Sequence, residues 1–148
     1  MNKINGEIYM QNKEQKELLV RLGEAQNKFG YLSEKVMIEL AESLDMSISD
    51  VYGVATFYSF FSIRPQGRNI IRICKSVPCF LKNSQVIIET VEKEIGIKPG
   101  ETTPNGKFSF HLTNCIGVCD KAPAMMINSE VYIDLTPNKI SQILKAHK

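Results

Sequence analysis

Four cysteines carry the chemistry this sequence suggests, and all lie between residues 74 and 119. They form two pairs, Cys74 and Cys79 in C-K-S-V-P-C, and Cys115 and Cys119 in C-I-G-V-C. Four thiolates on two converging loops can close a metal site. A structural zinc ion takes four donors around one point, with tight spacings of Cys or His. A [2Fe–2S] cluster is a longer body whose two irons each need two thiolates. The spacers hold four and three residues, slightly long for a zinc knuckle, and a four-residue spacer also occurs in plant-type ferredoxins. Spacing leans toward a cluster and leaves a zinc staple open. Neither pair has the C-x-x-C spacing of a dithiol exchanger.

The surroundings suit an anion. Two ferric ions, two sulfides and four thiolates leave a net negative body, and burying it requires donors of opposite sign. A helix predicted to begin near Phe80 would aim its free N–H groups back at the sulfurs. Gly117 lets the second loop bring its backbone close to a sulfur. Lys75 and Lys121 flank the loops and read as surface lysines. His111 reads as a structural histidine on a strand, and His147 suits the end of the last helix. Met125 and Met126 read as core filling. The Ala122–Pro123 bond is expected to be trans.

The elements that position these residues follow from periodicity. Glu14 to Lys28 places Leu18, Leu19, Leu22 and Ala25 at helical spacing, and Gly30 follows as a stop. Ser33 caps a second helix over Glu34 to Leu44, and Ser47 caps a third over Ile48 to Thr56. The aromatic run VYGVATFYSFFSIRPQG ends at Pro65 and Gly67, which places a boundary near residue 66. Beyond it, Ile70, Ile71 and Ile73 lead into Cys74 as a buried strand. Phe80 to Ile95 is expected as one helix, and Phe108 to Leu112 as a half-buried strand. Ala124 to Asn128 and Val131 to Ile133 should form a hairpin, and Thr136-Pro137 opens a final helix. Helices first, then strands mixed with helices, give an α+β class. The expected domains are 1–66, helical, and 67–148, which carries the cysteines.

Composition limits the function classes. The 148 residues are 43% hydrophobic, with a net charge of +2, spread lysines and no Trp. That argues for a packed chain without a nucleic-acid surface. The amino terminus lacks the apolar stretch of a secretory signal, and Val51 to Ile63 is too short to span a bilayer. A cytoplasmic protein without membrane insertion is expected, where four cysteines rarely form structural disulfides. No G-x-G-x-x-G or Walker A loop is present, so the chain is not expected to bind NADH itself. No catalytic residue is assigned.

With these motifs in place, the chain resembles the thioredoxin-like [2Fe–2S] subunits of NADH dehydrogenases, the E subunit of respiratory complex I. It is also similar to the small subunits of NAD(P)-linked hydrogenases and formate dehydrogenases. The resemblance runs from Lys28 to Leu144. It rests on KFGYLSEKV, ISDVYGVATFYSFF, the Cys74 and Cys79 pair, GETTPNGKFSF and NCIGVCDKAPAMMIN. It implies a helical bundle followed by a thioredoxin-like α/β domain, and one [2Fe–2S] cluster held by Cys74, Cys79, Cys115 and Cys119. It also implies a partner flavoprotein that binds FMN and NAD(H) and has its own iron–sulfur cluster, docked in part by the helical region. The alternative for VYGVATFYSFF is that its aromatics fill the helical core. The chain departs from the family at Ser76, Val77 and Pro78, where Gly-Thr-Ala is common, and at Asn83, where glycine is common. The implied role is electron transfer in a larger NAD(P)H-linked complex, cytoplasmic and peripheral on a membrane assembly. A freestanding thioredoxin-like ferredoxin and a zinc-stapled adaptor are the competing readings.

Overall fold

A computed structural model describes residues 3–147, with side chains from residue 16 onward. The chain divides into two compact units, Met1–Pro65 and Gln66–Lys148. Gln66 falls in the second unit, where its side chain meets His111 at 2.6 Å.

Three helices make the first unit: α1 Lys3–Phe29, α2 Glu34–Ser43 and α3 Ile48–Phe57. Helix α1 begins well before the predicted start, and the Glu14 side chain lies outside the described ones. Ser33 and Ser47 act as caps, accepting from the N–H groups of Val36 and Asp50. Each cap supplies an acceptor for one of the helix's first N–H groups, which have no intrahelical partner. Leu18, Leu22, Leu32, Met37, Ala41, Val51 and Ala55 close the core of this unit. Most aromatics of the run that begins at Val51 stay out of it, although its Val51 and Ala55 belong to it. Phe57 is 79% exposed, and Tyr52, Tyr58 and Phe60 are exposed as well, while Phe61 packs against the core.

The second unit holds a four-stranded sheet in the order β2-β1-β3-β4. Its strands are β1 Asn69–Cys74, β2 Phe108–Thr113, β3 Met125–Ile127 and β4 Glu130–Tyr132. β1 and β2 are parallel, with Cys74 opposite Thr113, while β3 runs antiparallel to both β1 and β4. Alternation along the strands puts Ile71, Ile73, Phe110, Met125 and Ile127 into one core. Helices α5 Ser84–Ile95 and α6 Pro137–Ala146 cover it with Ile87, Ile88, Val91, Ile140 and Leu144. Thr136 caps α6 by accepting from Lys139 N–H, as the Thr-Pro signal implies. The architecture is α+β, helices followed by a thioredoxin-like sheet domain. Gly67 is needed for a close approach, since a Cβ there would stand 2.7 Å from the Phe108 backbone.

Two local expectations are corrected. The helix expected over Phe80 to Ile95 is two helices, a short α4 Val77–Leu81 and then α5. The break falls at Asn83, whose φ of 62° is left-handed. Asparagine tolerates that region better than most residues, which accounts for the non-glycine residue there. The Ala122–Pro123 bond is cis, an isomer that proline makes accessible and other residues rarely adopt. Among the described residues, no helix is long and apolar enough to cross a membrane.

Candidate metal centre

Parallel pairing brings the cysteine loops together. Because β1 and β2 run the same way, Cys74 ends one strand beside Thr113, and Cys115 follows two residues later. Two further bonds hold this end of the sheet. Lys75 N–H donates to Thr113 O at 2.9 Å, and Cys74 N–H donates to Ala124 O at 3.2 Å. The second bond joins the end of β1 to the segment just after Cys119.

Cys74 and Cys79 are buried, whereas Cys115 and Cys119 are exposed. The Cys79 thiol donates to Cys74. Cys115 and Cys119 place their sulfurs 3.3 Å apart. Two thiolates on one tetrahedral metal at about 2.3 Å would stand about 3.8 Å apart, so the exposed pair is close to the spacing one metal requires. Cys79 and Cys119 each feel the charge of Cys74, and Cys79 feels that of Cys119. Among the described residues, no three His, Cys, Asp or Glu side chains gather around a single metal point. The thiols fall into two pairs, Cys74 with Cys79 and Cys115 with Cys119.

Hydrogen-bond donors surround the sulfurs. Cys74 receives the N–H and hydroxyl of Ser76 and the N–H of Ile116. Cys79 receives the N–H of Ala124. Gly117 N–H donates to Cys115 at 3.4 Å, and its φ of 89° is what turns it there. Burial pushes the Cys74 thiol up, but the bonds from Ser76 and Cys79 outweigh it and the net shift is downward. Burial, then the bond to Cys74, push Cys79 up to about 11. The bond to Cys115, and beyond it Cys74 and Asp120, raise Cys119. Donors aimed at several sulfurs favour a negatively charged occupant, so the donor set fits an anionic iron–sulfur body.

The donors differ from those expected. The helix that contains Cys79 starts at Val77 and spans five residues. It is Ser76, not the backbone near Phe80, that reaches a sulfur. Ile116 and Ala124 act through backbone N–H groups, which residue type does not reveal. Ser76 was findable, because Ser followed two residues later by Pro78 marks a helix start. Arg72 was also missed. It is 5% exposed and lies two residues before Cys74, on the same side of β1. A buried guanidinium keeps its charge, and this one faces His111 across the β1–β2 ladder. Burial, then Arg72, hold His111 below the ordinary histidine range, and its Nε2 donates to Gln66. Lys75 and Lys121 are exposed. Met125 is buried in the core, and His147 bonds the Tyr132 hydroxyl at 2.9 Å.

Known proteins are similar to this chain in sequence and in fold. The family model described as thioredoxin-like [2Fe–2S] ferredoxin matches residues 4–148. The E subunit of the NADH-quinone oxidoreductase of Buchnera aphidicola is 45% identical over 123 residues, covering 83% of this chain and 76% of that protein. The HndA subunit of the NADP-reducing hydrogenase of Solidesulfovibrio fructosivorans is 35% identical over 127 residues, covering 86% and 74%. A crystal structure of an air-oxidised NAD+-reducing [NiFe]-hydrogenase superposes with a TM-score of 0.77 at 24% identity. That likeness covers 88% of this chain but only 22% of the hydrogenase chain, and it speaks for the fold alone.

Proposed function

The chain belongs to the thioredoxin-like [2Fe–2S] ferredoxin family, and from that premise we propose that it is an electron-transfer subunit. Cys74, Cys79, Cys115 and Cys119 hold its single cluster. The observation that supports the assignment is that the thiols fall into two pairs, Cys74 with Cys79 and Cys115 with Cys119, close enough for charge on one pair to reach the other, with N–H donors at Cys74, Cys79 and Cys115. A body with two irons needs two such pairs, whereas one zinc ion needs four donors around one point. When bound, the cluster supplies one-electron redox chemistry. The chain's own residues supply the rest. Ser76, Ile116, Gly117 and Ala124 offset negative charge on the sulfurs. The sheet core keeps water from Cys74 and Cys79. The exposed loop of Cys115 and Cys119 leaves one side open toward a partner.

That partner is proposed to be a flavoprotein that binds FMN and NAD(P)H and carries its own iron–sulfur cluster. The relatives are named as subunits of an NADH-quinone oxidoreductase and of an NADP-reducing hydrogenase, and this sequence has no nucleotide loop of its own. The helical domain, residues 1–66, is the proposed docking element. It leaves Tyr52, Phe57, Tyr58 and Phe60 exposed. It also carries an open groove of 410 Å³ lined by Met37, Ile48, Tyr52 and Ile63 among others. Exposed aromatics of this kind are enriched at the buried centres of interfaces. The assembled complex would then sit in the cytoplasm or on its membrane face.

Anaerobic reconstitution of the purified chain tests the site. The expected product is red-brown, with about two irons and two acid-labile sulfides per chain. Replacing any one of the four cysteines with alanine should remove most of the colour. A colourless chain holding one zinc would sink the assignment. Affinity purification from the native host tests the partner: a flavin-containing chain should co-elute, and its absence would favour a freestanding ferredoxin.

A further inference from the structure

Ile116, Gly117 and Val118 join Cys115 to Cys119 through irregular backbone, between the end of β2 and a short 3-10 turn. Gly117 takes φ 89°, and a Cβ on it would meet nothing within 4 Å, so the space beside this link is open. The link brings the two sulfurs to 3.3 Å. A disulfide needs about 2.05 Å, so closing one asks for a shift of about 1.2 Å between two exposed side chains. The other pair offers no such access. Cys74 is 1% exposed and Cys79 3%, and thiol–disulfide exchange depends on access to the sulfur.

We propose that Cys115 and Cys119 are a reversible modification site, an internal disulfide that closes the metal centre of the cluster-free chain to its cluster. The oxidant is a small-molecule disulfide of the glutathione type. One cysteine thiolate attacks it, forming a mixed disulfide and releasing one glutathione thiol. The second cysteine attacks the protein sulfur of that mixed disulfide and releases the other. The cysteines lose two electrons and two protons and gain one S–S bond. The oxidant loses its S–S bond and leaves as two thiols that carry those electrons and protons. Exposed disulfides are the labile ones, so a dithiol reductant reverses the step. Disulfides in reducing compartments are mostly of this transient, redox-sensing kind. A cluster needs two thiolates for each iron, and the oxidised chain has only two left for both. The closing rests on the ligand assignment above, whereas the disulfide rests on the 3.3 Å approach and the exposure alone.

The test uses the full-length chain, reduced, freed of metal and handled without oxygen, then incubated with glutathione disulfide. Peptide mass mapping without reductant should find one disulfide, joining Cys115 to Cys119, with Cys74 and Cys79 still free. Cys115→Ser and Cys119→Ser should each stop at one glutathione adduct on the exposed cysteine that remains. Cluster uptake is then read by visible circular dichroism, with a [2Fe–2S]-loaded scaffold protein as donor, because free sulfide would itself reduce the bond. The oxidised chain should accept about tenfold less cluster than the reduced chain. Treatment with a dithiol, removed before transfer, should restore uptake. Four free thiols after oxidation, or a bond to Cys74 or Cys79, would overturn the modification site. Equal uptake by oxidised and reduced chains would overturn the closing. A reduced chain that accepts no cluster would overturn the ligand assignment, and the closing with it, whether or not the disulfide forms.

Discussion

The two cysteine pairs are held by different means. Cys74 and Cys79 are buried on regular structure, at the end of a strand and within a helix. Cys115 and Cys119 are exposed, the first on a loop and the second opening a single short 3-10 turn. The first pair is placed by the packing of a whole domain. The second is placed by a few backbone turns, among them the left-handed Gly117. One pair therefore rests on packed regular structure and the other on exposed backbone turns.

The largest test of this contrast is chemical. Cys79 is pushed up to about 11, so in the metal-free chain it stays a thiol through neutral pH. Only the thiolate reacts, so its alkylation by iodoacetamide should rise on the order of several hundred-fold between pH 8 and pH 11. An ordinary thiol would rise only about fourfold. A plateau near pH 9 for Cys79, read by peptide mass spectrometry, would contradict the difference between the pairs. Next in size, Phe110→Ala should cost about 3–5 kcal/mol. Phe110 is fully buried on β2, the strand that leads to Cys115. Urea unfolding of the metal-free chain would measure the loss.

A smaller test compares the pairs directly. Cys79→Ala should destabilise the metal-free chain by about 1–3 kcal/mol, because the buried Ala124 N–H loses its acceptor. Cys119→Ala should leave the urea midpoint nearly where it was, as exposed substitutions do. Equal losses in urea would show that burial does not separate the pairs. Smallest is Gly117→Ala, which forces a side chain into φ 89° and should cost about 1–2 kcal/mol. Its clearer mark should be faster loss of iron to a chelator, while the far-ultraviolet circular dichroism spectrum is unchanged.

Much of the fold was legible because local chemistry and tertiary structure agree. Ser33, Ser47 and Thr136 cap where their sequence context places them. The four cysteines stood out by number and spacing alone. What could not be read was set at a distance. The parallel β1–β2 pairing joins residues 39 apart, and nothing near Cys74 announces Thr113 as its neighbour. The Asn83 break hid because residues 84 to 95 continue the helical pattern of apolar positions after a turn that asparagine makes without glycine. The exposure of the aromatic run was equally invisible. A helical period says which residues share a face, but not whether anything covers that face. Arg72 reads as an ordinary charge between isoleucines until the sheet buries it.

The shared direction of β1 and β2 has an evolutionary consequence. The crossover between them returns through residues 96–107 to the edge where Phe108 begins, the edge opposite the sulfurs. Part of that stretch pairs with β2, Gly100 N–H donating to Phe110 O and Thr103 N–H to Phe108 O, so a change of length there must keep this pairing but falls away from the cysteines. The few residues after Thr113 have less latitude, because every addition would displace Cys115.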